Sequence, residues 1–368
     1  IDRATLLIKE GDKKPIIINI TDGAMELKIN SIVGSMNEEI DIQKSGKDLM
    51  INETIDRIAT VAEKENIFIV TNVAQVPKMK AATTGRLQEN HILSEPSARN
   101  TAACIGYAAM EIIKKYGDGI MCISPADHFI KNQVEFTRIL KEAVQVAETE
   151  DKLITIGINP TYPATGYGYI KFDKNDDTLA KKVIEFKEKP DLEKAKEYVA
   201  SGAYAWNSGM FIWKASVILE KFKELLPEVY ACIEKIGEAM NTPEEMQVIE
   251  AVYPTIPSIS VDYGIMEKSS DVLVISAEFG WNDVGSWENM DVIYDEDENG
   301  NILVGNQLNI DTKNTISYSK KRLIATVGVE NLIIVETDDA ILICDKNRAQ
   351  DVKLVVDQLK ADGKNQYL

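Results

Sequence analysis

The chain has 368 residues, 45% of them hydrophobic, which is enough to bury a full core and favours one large domain followed by a smaller one. Its formal charge of −18 excludes a nucleic-acid groove or an anionic membrane face as the main working surface, because a net acidic field repels polyphosphates at long range; a phosphate-bearing substrate then needs a local cation cluster or a divalent metal. Cys104, Cys122, Cys232 and Cys344 lack CxxC spacing and read as free thiols of a reducing compartment, no stretch reaches the length of a membrane span, and Ile1-Asp2-Arg3 has no signal-peptide pattern, so a cytoplasmic protein is expected.

From Asn66 onward short apolar runs alternate with helical patterns. Ile67–Val70 and Ile92–Leu93 read as strands, Asn100–Tyr116 as a helix, Ile120–Ile123 as a strand, Val134–Glu148 as a helix and Leu153–Ile158 as a strand. This alternation predicts βαβ units, hence an α/β fold on a doubly wound, largely parallel sheet. Lys182–Lys187 then reads as a β segment, with a helix after Asp191 and a helical stretch from Ala215 to Val252. The acidic, glycine-containing segment Asp295–Asn301 is a natural boundary. It separates a domain of residues 1–295 from a β-rich module of residues 296–368, whose short strands (Ile302–Val304, Leu323–Val327, Leu332–Val335, Ala340–Cys344) precede a terminal helix near Ala349–Leu359.

Ligands of such sheets sit beyond the carboxyl ends of strands, which singles out Glu95 and Asp127. Asp127 follows Ile120–Ile123 and Pro125. Asp283 lies in Trp281-Asn282-Asp283-Val284-Gly285, where Gly285 permits a tight turn. Two such carboxylates could give hard oxygen ligands to Mg²⁺, completed by water and phosphates, although spacing alone is explained more simply by caps or turns. In Glu188-Lys189-Pro190 the proline stops the strand and holds Lys189 where an ammonium could meet a phosphate. Asn207, bracketed by aromatics in Trp206-Asn207-Ser208-Gly209-Met210-Phe211, can donate and accept toward sugar hydroxyls. Gly168 in Tyr167-Gly168-Tyr169 allows close backbone approach, or else marks a bulge. Asn100 reads as an N-cap and Thr101 as the first turn of the helix after Glu95-Pro96-Ser97-Ala98-Arg99. Asp262, in Ser260-Val261-Asp262-Tyr263, has two open roles, a site contact or a helix cap.

Taken in order, Pro125-Ala126-Asp127-His128, Thr165-Gly166-Tyr167-Gly168-Tyr169-Ile170, Glu188-Lys189-Pro190, Trp206–Phe211 and Trp281–Gly285 resemble the sugar-1-phosphate nucleotidyltransferases, and most closely the mannose-1-phosphate guanylyltransferases, from about Ser45 to the C-terminus. The resemblance implies a Rossmann-like catalytic sheet with a C-terminal β-helical module, and transfer of a guanylyl group from GTP to mannose 1-phosphate with Mg²⁺. It implies catalytic roles for Asp127, Lys189 and Asp283, with Asp127 and Asp283 on the metal. Substrate contacts are implied for Glu95, Arg99, Asn100, Thr101, Gly168, Glu188, Asn207 and Asp262, together with a homodimer formed through the C-terminal module.

The family's N-terminal signature, a strand followed by Gly-Gly-x-Gly-x-Arg and then Lys-Pro-Lys, is absent from residues 1–44. Pro15–Ile20 could be the first strand, with Thr21-Asp22-Gly23-Ala24 as a shortened loop; Ile29–Val33 is the rival. Loss of that loop keeps a second function open, a non-catalytic sugar-nucleotide-binding or regulatory relative. A nicotinamide-dependent dehydrogenase is excluded, since no Gly-x-Gly-x-x-Gly follows a strand.

Overall fold

In the computed structural model, residues 16–20, 49–284, 287–292, 294–364 and 367 are described. They divide into two compact units. The first holds Ile16–Ile20, Thr54–Ala126 and Ile130–Trp281; the second holds residues 49–53, Asp127–Phe129 and the chain from Asn282 onward.

The run Ile16–Ile20 forms a strand, as expected for Pro15–Ile20. It lies in parallel register between Ile67–Asn72 and Ile120–Pro125, pairing Ile18 with both Phe68 and Ile123. Around it the first unit builds a nine-stranded sheet in the order Ile92–Glu95, Ile67–Asn72, Ile16–Ile20, Ile120–Pro125, Tyr204–Lys214, Leu153–Ile158, Val272–Ala277, Lys181–Lys187, Tyr169–Phe172. The first four strands are parallel, as is the pair Leu153–Ile158 with Val272–Ala277. Tyr204–Lys214 runs antiparallel to both neighbours, and the sheet is therefore less parallel than the alternation predicted. The reason is local. After Leu153–Ile158 the chain returns through the antiparallel strands Tyr169–Phe172 and Lys181–Lys187, and helix Leu192–Ser201 then leads into Tyr204–Lys214.

The strands Ile67–Asn72 and Leu153–Ile158 are buried along their whole length, in keeping with their largely β-branched and apolar composition. Helix Asn100–Tyr116 buries a face of alanines and aliphatics against helices Ala215–Leu225 and Pro227–Ala239. Gly106 permits the approach, since a Cβ there would collide with Ile233. Helix Gln133–Thr149 starts where Asn132 Oδ1 accepts from Glu135 N, and helix Leu192–Ser201 where Asp191 Oδ1 accepts from Lys194 N. All four cysteines are free thiols, Cys104 and Cys122 buried. Among the described residues no helix is long and apolar enough to cross a membrane.

The second unit is a parallel β coil. Ile302–Val304, Ile316–Ser319 and Leu332–Glu336 stack in register, closed by antiparallel Ile341–Asp345; Gln307–Ile310 and Ile324–Val327 form the other parallel pair. Ile302, Ile316, Ile333, Tyr318 and Val335 fill its core together with Trp287, Met290 and Val284. Buried polar groups pair between turns: Asn301 Nδ2 donates to Thr312 O at 2.8 Å, and Thr315 N donates to Asn301 Oδ1 at 3.0 Å. Asn314 and Asn331 hold left-handed corners (φ +44° and +59°) and bond to each other at 2.9 Å. The acidic segment before Ile302 is a turn organised by Asp297, whose Oδ1 accepts from Asn299 N and Asn301 N. The terminal helix spans Val352–Ala361, after a 3₁₀ segment at Lys346–Asp351.

Candidate active site

Within the first unit, strand pairing brings Gly168, Glu188, Lys189 and Asn207 together and a hydrogen bond adds Asp262. Asn207 N donates to Gly168 O at 2.8 Å and Lys189 N to Tyr167 O at 3.2 Å, so the Tyr167–Tyr169 backbone links the Glu-Lys-Pro turn to the Asn207 strand. Gly168 leaves room here for the Glu188 carboxylate. A Cβ would collide with Glu188 Oε2 and stand 3.3 Å from the Asn207 Cβ. Lys189 is held at φ +48°, a conformation costly for a residue with a Cβ, immediately before Pro190. Its Nζ lies 3.4 Å from Glu188 Oε1, and its side chain is 61% exposed while that of Glu188 is 13% exposed. Burial raises the Glu188 carboxyl above its ordinary range, and the neighbouring Asp262 adds to that against the pull of Lys189. The Asp262 carboxyl is raised as well, by burial first, with the Asn207 amide opposing.

Asn207 Nδ2 donates to Asp262 Oδ1 at 2.8 Å, while Asn207 Oδ1 accepts from Gly209 N at 3.2 Å and from Thr155 Oγ1 at 3.5 Å. Asp262 opens a single wide π-helical turn, Asp262–Met266, closed by Glu267 N to Asp262 O. Aromatic rings wall this cluster: Tyr162 and Tyr167 meet Trp206 edge-on at 4.9 and 5.2 Å, and Tyr167 meets Trp281 at 5.2 Å. Trp206 and Asn207 stood out in the sequence. Tyr162 and Thr155 did not, since neither lies in a motif.

The second group, Glu95 to Thr101, is tied to the segment 253–261. Tyr253 OH donates to Glu95 Oε1 and Arg99 Nη2 to Pro254 O. Val261 N donates to Thr101 Oγ1 at 2.9 Å and Ala102 N to Ile259 O at 3.2 Å. Glu95 is 3% exposed, whereas Asn100 is exposed at the helix start. Asn100 is not the cap that its residue type suggested. It opens the helix at φ +65°, and its Oδ1 accepts from the adjacent Thr101 N, leaving the following amides of the first turn without a side-chain acceptor.

Asp127 sits in a turn two residues beyond the strand Ile120–Pro125, half-buried. The residue before it is fixed by a relay not evident in the sequence: Thr54 Oγ1 donates to Ala126 O at 3.0 Å, and Arg57 Nη2 donates to Thr54 Oγ1 at 2.7 Å. Arg57 is 6% exposed, and burial lowers it to about 10. Asp283 is half-buried in a strained turn, where Asn282 Oδ1 accepts from Val284 N at 2.7 Å and buried Val284 takes φ +50°, rare for a β-branched residue. Gly285 and the loop Thr21–Ala24 lie outside the described residues, as does Ile29–Val33. Both Asp127 and Asp283 belong to the second unit. Among the described residues no three His, Cys, Asp or Glu side chains gather to hold a metal. Asp127 and Asp283 are each half-buried carboxylates at turns, and carboxylate oxygens are the donor type that suits a hard divalent cation.

Sequence and fold comparisons agree with these features. The family model described as nucleotidyl transferase matches residues 7–299, starting upstream of the Ser45 motif boundary and so including the strand Ile16–Ile20. The model described as MannoseP isomerase/GMP-like beta-helix domain matches residues 305–359. The mannose-1-phosphate guanylyltransferase of Escherichia coli K12 is 39% identical over 328 residues, covering 86% of this chain and 68% of that protein. The xanthan biosynthesis protein XanB of Xanthomonas campestris is 38% identical over 322 residues, 87% of this chain and 68% of that one. A crystal structure described as mannose-1-phosphate geranyltransferase from Thermus thermophilus superposes with a TM-score of 0.80 at 26% identity, over 94% of this chain and 99% of that one. The chain belongs to the nucleotidyl transferase family, with a MannoseP isomerase/GMP-like β-helix domain after the catalytic sheet.

Proposed function

We propose that the protein transfers a guanylyl group from GTP to mannose 1-phosphate, giving GDP-mannose and pyrophosphate. The carrying observation is that the ordered motifs lie within a chain 36–39% identical to several proteins named mannose-1-phosphate guanylyltransferase. A phosphate oxygen of the sugar phosphate attacks the α-phosphorus in line; the new P–O bond forms as the bond to the β-phosphate oxygen breaks, and pyrophosphate leaves. The nucleophile is already ionised at neutral pH, so no general base is needed and catalysis is positioning with charge neutralisation.

The Lys189 ammonium holds the sugar phosphate, and its strained, proline-locked backbone fits a group that must not drift. Glu188 and Asn207 read sugar hydroxyls beside the bare backbone of Gly168, while Tyr162, Tyr167 and Trp206 exclude water. Asn100 and Thr101 meet the nucleotide at the helix start, where anions are favoured, and Glu95 and Arg99 serve it by anchoring the segment 253–261. A divalent ion, assigned as Mg²⁺, would be held by Asp127 and Asp283 and would supply charge neutralisation for the phosphates. We further assign a catalytic domain of residues 1–295 and a β-helical module of residues 296–368, a cytoplasmic location and a homodimer through that module. Pyrophosphate release that requires both GTP and mannose 1-phosphate tests the activity; release with another nucleotide or sugar phosphate instead would refute it.

A further inference from the structure

Asn207 is chemically ambiguous as a reader of hydroxyls, because a side-chain amide donates at one end and accepts at the other. Its surroundings remove the ambiguity. Gly209 N is a backbone donor and can face only the amide oxygen, which lies 3.2 Å away. Thr155 Oγ1 lies 3.5 Å from the same oxygen but has the shorter partner in Met210 O at 3.3 Å, so Gly209 N is the donor that fixes this end of the amide. At the other end Nδ2 carries two hydrogens, one of them donated to Asp262 Oδ1 at 2.8 Å. Among the described residues no second acceptor is bonded to Nδ2.

Asp262 is itself held from behind. Val261 N is bonded to Thr101 Oγ1, and the π-helical turn that begins at Asp262 fixes its backbone from the other side. The pair bridges 55 positions of sequence, is half-buried, and stands next to Glu188, whose Oε2 lies against Gly168. A loose amide there would turn over and exchange its two ends; one held by Gly209 N and Asp262 keeps its spare Nδ2 hydrogen in one place.

We propose that Asp262 is a positioning residue for sugar selection: it locks the Asn207 amide in one orientation, so that Asn207 offers the sugar 1-phosphate its spare Nδ2 hydrogen while the neighbouring Glu188 carboxyl faces it as an acceptor. This rests on the activity proposed above and adds the polarity with which the site reads the sugar ring. Asp262 acts through Asn207 and does not itself touch the substrate.

The test is a double-mutant cycle on the full chain, read as KM for the sugar phosphate, KM for the nucleotide and the ratio of kcat/KM for mannose 1-phosphate over glucose 1-phosphate. Asp262→Ala should raise the sugar KM about tenfold and reduce that ratio, with the nucleotide KM changed less than about twofold. Asp262→Asn, which can still accept from Nδ2, should recover most of the loss. In an Asn207→Ala background Asp262→Ala should add nothing, because its route of action is gone. Multiplying effects in the double variant would mean direct substrate contact and overturn the proposal, as would an unchanged sugar KM in Asp262→Ala. Melting temperatures of all variants separate loss of fold from loss of selection. The unmodified protein is first run against a panel of nucleoside triphosphates and hexose 1-phosphates. A different preferred pair would refute the activity alone, and the cycle would then be read on that pair.

Discussion

Gly168→Ala is the cleanest steric probe of the sugar-side cluster. The backbone of Gly168 is not left-handed, so an alanine meets no conformational penalty and the whole effect comes from the added methyl. That methyl would collide with Glu188 Oε2 and press on the Asn207 Cβ at 3.3 Å. Glu188 is only 13% exposed and its other oxygen faces Lys189 Nζ at 3.4 Å, so the carboxylate can yield only by leaving its position. Overpacking of this kind costs about 1–3 kcal/mol. Expressed as lost substrate affinity, that is a rise of about 5- to 150-fold in the KM for the sugar phosphate, at about 1.4 kcal/mol per factor of ten. Steady-state pyrophosphate release at saturating GTP measures it, with a melting curve to show that the fold survives. A sugar KM within about twofold of the unmodified value would refute both the packing argument and the placement of Glu188 against the sugar.

Thr54→Val keeps the shape of the side chain but removes the donor to buried Ala126 O and the acceptor of Arg57, at a cost of about 1–3 kcal/mol, or a few degrees of melting temperature. Turnover should fall further than stability, since the next residue is Asp127; a variant losing stability with unchanged kcat would detach this relay from the active site. Asp271 accepts from Lys152 Nζ at 2.6 Å and Lys221 Nζ at 2.9 Å, and these ammonium groups pull its carboxyl from 3.8 to about 2. A depressed folded-state pKa gives stability that is present above the ordinary carboxyl value and lost as pH falls through the folded one. The melting-temperature gap between the unmodified protein and Asp271→Asn should therefore hold above about pH 5 and close between pH 4 and pH 2, whereas a gap independent of pH would remove the ion pairs from the account. Gly305→Ala should destabilise the β coil, because φ +86° is a glycine conformation and a Cβ would collide with Ser319 O; an unchanged melting curve would contradict the packing of that rung.

What could be read in the sequence was what local chemistry dictates. Leu153–Ile158 is a continuous β-branched and apolar run and folds as a strand with those bounds, and Asp191 announces the helix it caps. The course of Tyr204–Lys214 was harder, since an apolar strand buried on both faces looks alike in either direction and only its partners decide. The cluster was legible as separate pieces: Gly168, Glu188, Lys189 and Asn207 each sit in a recognisable motif. Their bonding was not, because Asn207 with Asp262, and Glu95 with Tyr253, meet across 55 and 158 positions with no local periodicity to betray them. Asn100 misled for a related reason. Its residue type suits a cap, but the tie of Thr101 to Val261 fixes the helix start and leaves Asn100 in a left-handed bend. At the Asp283 turn glycine was the expected punctuation, yet buried Val284 carries the left-handed conformation, held by Asn282 and by packing in the second core.

The most direct test of the central claim is pyrophosphate release from GTP and mannose 1-phosphate with Mg²⁺, measured in parallel for the unmodified protein and for Asp127→Asn. Release that requires both substrates and the metal, and that falls by at least about a hundredfold in Asp127→Asn while the melting temperature is kept, is the predicted result. Full activity in that variant would contradict the metal assignment, and no release from the unmodified protein, with GDP-mannose still bound, would make the chain a sugar-nucleotide binder instead of a transferase.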